Sequence, residues 1–368
     1  MLYHLLPRFK DVNIVFNLFG YITFRAAGAV VTSLLVAFLV GPFAIRWLAS
    51  LRVGQVVRDV GPKSHLEKAG TPTMGGVIII LAATLSTLLW AELTNWYTML
   101  ALAALLWMGG IGFLDDYLKV VRKHSRGLVA RYKMIGQVTF AVALGLLLLA
   151  HPISNLPSTV TGVPFFSDYA AVFWAPAFVV FIAIVVSGTS NTVNLTDGLD
   201  GLAAGLTAIV VGTFGVLAYV EGRVDTSRYL GLFYLHGAGE LSVFAAALAG
   251  AAIGFLWFNA HPAEVFMGDT GSLSLGGAIG VMAILLKVEF LLVIAGGVFV
   301  MEGVSVMLQT SWFKYTSRRY GAGRRIFLMA PIHHHFEKLG WPEPKVVVRF
   351  WILGILFAML ALSTLKIR

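Results

Sequence analysis

Apolar stretches recur ten times along the chain, at about 21–46, 74–91, 97–114, 134–150, 170–187, 200–220, 240–258, 271–286, 290–311 and 348–364. Most approach the roughly 20 residues that a helix needs to cross a bilayer, and 271–286 is among the shortest. None alternates apolar and polar residues with period two. The pattern therefore predicts spanning helices and not barrel strands. The expected fold is an all-α integral membrane protein with about ten transmembrane helices, residues 1–368 forming a single polytopic domain.

Composition agrees with the pattern. Of the 368 residues, 58% are hydrophobic and 12% charged, with mean hydropathy +0.84; a soluble domain carries about 25% charged residues. Cysteine is absent, which excludes disulfides and thiolate metal sites. The first residues, MLYHLLPRFKDVNIVF, lack an apolar core followed by a small-residue cleavage site, so no cleaved signal peptide is expected.

The charges orient the helices. Of the 27 Lys and Arg, 19 fall in the regions after the first, third and ninth apolar stretches, whereas the opposite loops hold only Arg223, Arg228 and Lys287. The positive-inside rule makes the basic side cytoplasmic. The cytoplasmic loops are then about 47–73, 115–133, 188–200, 259–270 and 312–347. An even helix number leaves both termini periplasmic. The net charge of +9 is first a topology signal. It also draws anionic membrane lipid and phosphorylated substrates to the cytoplasmic face. Nucleic acid is not an expected partner.

Four polar clusters fall on that one side, although two of them contain no Lys or Arg to set the orientation. NTVNLTDGLDGLAAG (191–205) places Asn191, Asn194, Asp197 and Asp200 three positions apart. On a continuous helix this spacing gives a shallow spiral along one face, so the four are expected at the start of the helix over 200–220. One N-cap accounts for one such residue and not for four. GFLDDYLKVVRK (112–123) ends an apolar run on Asp115 and Asp116, with Lys119 at ion-pair spacing from Asp115. FNAHPAEVFMGDTGSLSLGG (258–277) carries Asp269 in a loop feeding a helix, whose positive end suits a phosphate. Phe266 reads either as an interfacial anchor or as a stacking surface for a base. APIHHHFEKLGWPEP (330–344) holds His333, His334 and His335. Adjacent histidines converge poorly on one ion, so phosphate hydrogen bonding and metal ligation stay open.

Carboxylates without thiols favour a hard cation such as Mg²⁺, usually held by one or two carboxylates plus substrate phosphates. Basic residues around them hold further phosphate charge. The combination points to phosphoryl transfer in a cleft on the cytoplasmic side, between a soluble phosphorylated compound and a lipid phosphate.

These stretches, with GTPTMGG (70–76), resemble the phospho-N-acetylmuramoyl-pentapeptide-transferase family of the polyprenyl-phosphate N-acetylhexosamine-1-phosphate transferase superfamily, of glycosyltransferase 4 type. They occur in family order over nearly the whole chain, and PIHHHFE is the most family-specific. The resemblance implies an Mg²⁺-dependent phosphosugar transferase of the bacterial cytoplasmic (inner) membrane, serving peptidoglycan and cell wall biosynthesis. Undecaprenyl phosphate attacks UDP-N-acetylmuramoyl-pentapeptide, giving lipid I and UMP. It implies a homodimer. It assigns Asp115, Asp116 and Asp269 to catalysis, with Asp269 and Asp116 as metal ligands and Asp115 favoured over Asp116 for deprotonating the lipid phosphate. Asn191, Asn194, Asp197, Asp200, Asn259 and Phe266 would line the nucleotide side. Lys68, Thr73, Lys119, Lys123, Lys133 and the three histidines would contact phosphates. Two rivals are a polyprenyl-phosphate N-acetylglucosamine-1-phosphate transferase and, from another class, a cation-coupled secondary transporter. The transporter would place its polar residues near the bilayer midplane.

Overall fold

The computed structural model describes residues 1–50, 70–120, 122, 127–166 and 170–365. It is a helical bundle. After a short α1 (Leu2–Leu5) come α2 (Ile22–Ser50), α3 (Gly76–Trp90), α4 (Trp96–Val120), α5 (Ala130–Ala150), α6 (Ala175–Thr196) and α7 (Leu202–Glu221). A short α8 (Val224–Leu230) precedes α9 (Leu241–Asn259), α10 (Gly268–Leu285), α11 (Glu289–Ala295) and α12 (Gly297–Tyr320). The chain closes with α13 (Ile332–Lys338) and α14 (Glu343–Ser363).

Among the described residues, eight helices are long and apolar enough to cross a membrane, and nine if the pair α11–α12 counts as one span. That pair departs from the single helix expected over 290–311: its halves meet at 87°. Gly296 and Gly297 stand at the break, where glycine's freedom interrupts the helix most readily. The expected span over 74–91 is also shorter than a full crossing. Met74 takes φ 72°, so α3 begins only at Gly76 and runs for 15 residues, about 22 Å at 1.5 Å per residue.

The chain is not purely helical. β1 (Val160–Gly162) and β2 (Ala170–Val172) pair antiparallel between α5 and α6, with Thr161 opposite Ala171. Lys287 ties this hairpin down by donating to the carbonyls of Pro157 (2.9 Å), Val160 (3.2 Å) and Ser158 (3.3 Å). Burial pushes its ammonium down to about 8.

Helix α10 is the hub. Every residue from Thr270 to Leu285 is buried, and α10 packs against α4, α6 and α3. Small residues permit this, since helices in lipid gain little from apolar burial and depend on close packing. A Cβ at Gly112 of α4 would overlap the Asp269 carbonyl, and one at Gly76 would overlap the Gly271 backbone. These glycines bring the N-terminal ends of α3 and α10 and the C-terminal end of α4 to one point.

Candidate active site

Three acids meet at that point. Asp115 and Asp116 leave the last turns of α4, and Asp269 sits in the first turn of α10. Ligand-type oxygens of all three lie within 4.8 Å of one another. Lys119, one turn after Asp115, and Lys133, in the first turn of α5, close the group. Lys119 Nζ pairs with Asp115 Oδ2 and lies 3.4 Å from Asp269 Oδ2. Lys133 Nζ lies 2.8 Å from Asp115 Oδ2 and pairs with Asp269 Oδ2. Three carboxylates against two ammonium groups leave one formal negative charge.

Asp116 is held differently. It accepts hydrogen bonds from the Thr270 N–H (2.8 Å), the Thr270 hydroxyl (2.7 Å) and the Asp269 N–H (3.2 Å). It thus caps the N-terminus of α10 from a neighbouring helix, satisfying donors that the helix itself leaves open. Gly268 must be glycine here: its φ is +71°, and a Cβ would stand 2.6 Å from Asp116 Oδ2 and 3.0 Å from Thr73 Oγ1. Thr73 is thereby placed beside the acids. The fit for a hard divalent ion is good. Among the described residues, the Asp115 and Asp269 oxygens are engaged by Lys119 and Lys133, by the Leu128 N–H on Asp115 and by the Asn194 amide on Asp269, and carboxylate oxygens suit Mg²⁺. Asp116 adds a third carboxylate that already carries a structural task.

Asn191, Asn194, Asp197 and Asp200 do not form a spiral on one helix. Asn191 and Asn194 lie in the last turns of α6, Asp197 caps its C-terminus, and Asp200 lies in the turn before α7. Thr196 ends α6 because the TDG turn breaks the ladder, and Gly201 adopts φ 79° ahead of α7. The expectation of one helical face is therefore corrected, and the residues part company. Asn194 donates to Asp269 Oδ1 (3.0 Å) and to Ser272 Oγ (2.8 Å). Asp197 accepts from the Gly268 N–H. Burial, and then the charges of Asp269, Asp116 and Asp200, push its carboxyl well above the usual carboxylate range. Asn191 instead donates to Gln137 Oε1 at 2.8 Å. Asp200 accepts from the Ala263 N–H (3.2 Å) and faces His261 Nδ1 at 3.1 Å.

Asn259 is buried and spends its amide on the scaffold, donating to Val265 O (2.9 Å) and accepting from the Gly201 N–H (3.0 Å). Phe266 is half-buried, with its backbone paired to Pro72 and Gly75. The three histidines turn to three partners. His333 Nδ1 faces Glu302 Oε1 at 3.1 Å, His334 Nδ1 faces Glu337 Oε2 at 2.6 Å, and His335 Nδ1 accepts from the Leu328 N–H at 3.2 Å. They do not converge on one ion. Lys68 and Lys123 lie outside the described residues.

Sequence reasoning passed over Glu302, Glu343, Gln137 and His261. Glu302 and Gln137 sit inside helices with no local motif, Glu343 opens α14 at the end of the APIHHHFEKLGWPEP stretch, and His261 lies unremarked in the FNAHP stretch.

Known proteins give the site a context. Residues 96–287 match the model for glycosyl transferase family 4, and residues 68–80 match phospho-N-acetylmuramoyl-pentapeptide-transferase signature 1. The chain is 58% identical over 381 residues to the phospho-N-acetylmuramoyl-pentapeptide-transferase of Gemmatimonas aurantiaca. It is 53% and 50% identical, each over 368 residues, to those of Desulfatibacillum aliphaticivorans and Desulfosudis oleivorans. In all three comparisons 100% of both chains is covered.

Proposed function

The chain belongs to the phospho-N-acetylmuramoyl-pentapeptide-transferase family, and from that premise we propose that its acid–lysine cluster transfers phospho-N-acetylmuramoyl-pentapeptide from the UDP-sugar to undecaprenyl phosphate. An oxygen of the lipid phosphate bonds to the sugar-linked phosphorus, the bond to the UMP oxygen breaks, and UMP and lipid I leave. One phosphoanhydride replaces another, so the reaction runs close to equilibrium. The protein works as one polytopic unit in the bacterial inner membrane.

The observation that carries this reading is the meeting of Asp115, Asp116 and Asp269 with Lys119 and Lys133 at one end of three helices. Phosphoryl transfer asks mainly for positioning and charge neutralisation. Asp269 and Asp116 would hold Mg²⁺, with Asp115 beside them, and the ion would supply charge neutralisation for the diphosphate. Lys119 and Lys133, freed from the carboxylates, turn to phosphate oxygens. Asp115 orients or deprotonates the lipid phosphate. Asn194 holds Asp269 in place, and Asp197 and Asp200 with Phe266 border the nucleotide. Lys68, Thr73, Lys123 and the histidines serve phosphates.

Ten crossings result if α3 is a short tenth span and α11–α12 one bent span. Both termini then face the periplasm, and the protein acts as a homodimer. A cysteine at position 334 should resist an impermeant thiol reagent on intact cells, while one at 154 should react; the reverse pattern overturns the topology. The activity test offers UDP-N-acetylmuramoyl-pentapeptide and UDP-N-acetylglucosamine separately with undecaprenyl phosphate in detergent. UMP release should need the first sugar and a divalent ion. Release with the second alone would favour the N-acetylglucosamine rival.

A further inference from the structure

Glu302 is the sixth residue of α12, just after the bend at Gly296–Gly297, and it faces His333 of α13. Gly303 beside it lets α12 close on α6, since a Cβ there would stand 2.6 Å from Thr192 Cγ2. Both Glu302 and His333 are 0% exposed. A carboxylate so enclosed is costly unless a cation or a donor answers it, and the group facing it at 3.1 Å is His333 Nδ1. That approach is a close contact and not a completed hydrogen bond: neither ring nitrogen and neither Glu302 oxygen has a hydrogen-bond partner among the described residues. The other ring nitrogen, Nε2, presses on Gly198, in the turn between Asp197 and Asp200, where a Cβ would overlap it. One nitrogen thus faces a buried carboxylate, and the other lies buried against the turn between Asp197 and Asp200.

We propose that Glu302 is a positioning residue: its carboxylate turns His333 so that Nε2, passing over the bare Gly198, is presented to the diphosphate of the nucleotide substrate. Such a partner fixes ring orientation and favours the donor form of the imidazole. Gly198 is required because any side chain there would fill the space Nε2 uses.

The inference rests on the nucleotide-sugar reading, and the test separates the two. Binding of UDP and of uridine is measured on the full chain in detergent, for the wild type, Glu302→Ala, His333→Ala, the double variant and Gly198→Ala. Glu302→Ala should weaken UDP by roughly 10–100-fold and leave uridine within a factor of about two. The double variant should bind UDP no worse than His333→Ala, because Glu302 acts only through that ring. Gly198→Ala should reproduce the selective loss of UDP and serves as the readout if Glu302→Ala fails to fold. Equal losses of UDP and uridine, additive losses in the double variant, or a Gly198→Ala protein that binds UDP normally would each overturn the proposal. A wild type that binds neither ligand would instead overturn the nucleotide-sugar reading.

Discussion

Asp115, Asp116 and Asp269 form one triad of closely spaced ligand-type side chains, and Asp200, His261 and Glu343 form another. The first is answered largely by side-chain ammonium groups: Lys119 and Lys133 lie on Asp115 and Asp269. The second is answered by backbone. The Ala263 N–H donates to Asp200, the Asp200 N–H donates to Glu343 Oε1 at 2.8 Å, and His261 reaches in from an exposed loop. A lysine can swing from a carboxylate to a phosphate at the cost of some side-chain rotamers. A backbone N–H can let go only if the loop opens. The same local collection of oxygens is therefore suited to exchange partners in one place and to hold a loop in the other.

The largest expected difference is at Asp269. Asp269→Asn should lower turnover by roughly 10²–10³-fold or more, and Mg²⁺ should no longer raise the melting temperature in detergent. If the variant keeps near-full turnover with saturating Mg²⁺, the first triad is not the reacting centre. Next comes Asp115→Asn, with an expected loss of about 10²-fold in turnover and a smaller loss of affinity for the UDP-sugar. A phosphate monoester has its second pKa near 6, so its dianion dominates above that pH and needs no base. The deficit should then deepen as pH falls through 6. Proportional losses of rate and affinity would move Asp115 from the chemical step to binding.

Asp200→Asn should behave in the opposite sense. It should weaken UMP binding by roughly tenfold through the displaced turn, at about 1–2 kcal/mol for a lost buried hydrogen bond. The Mg²⁺-induced rise in melting temperature should survive. Loss of that rise would mean that the second triad also holds the ion, and the contrast would collapse. The smallest effect belongs to His261→Ala. Its ring is exposed, so turnover measured at saturating substrate should stay within about threefold, as for a surface polar contact.

Much of the bundle was written in the chain itself. Hydropathy alone located ten segments, and all ten correspond to helices or to a helix pair, because hydrocarbon allows few other ways to satisfy a backbone. The acidic motifs were also legible, since charge at the edge of an apolar run is costly without a purpose. Other features emerged only in three dimensions. The spacing of Asn191, Asn194, Asp197 and Asp200 suggested one face of one helix, yet the TDG turn splits them, and only Asn194 and Asp197 reach Asp269 or its flanking turn. The α11–α12 bend depends on two adjacent glycines whose local pattern a straight helix would also tolerate. Gln137 and Glu302 gave no local signal, and Glu343 lay within the 330–344 polar cluster with nothing local to name its partner. Each is a polar residue whose partner lies tens of positions or farther away or in another helix: Asn191, His333 and the Asp200 N–H. Periodicity and charge act over a few neighbouring residues, and so the sequence by itself determined the helices and the polar edge they share. Which acids meet, and which are answered by lysine or by backbone, was decided by the close approach of α3, α4, α6 and α10 through Gly76, Gly112 and Gly276.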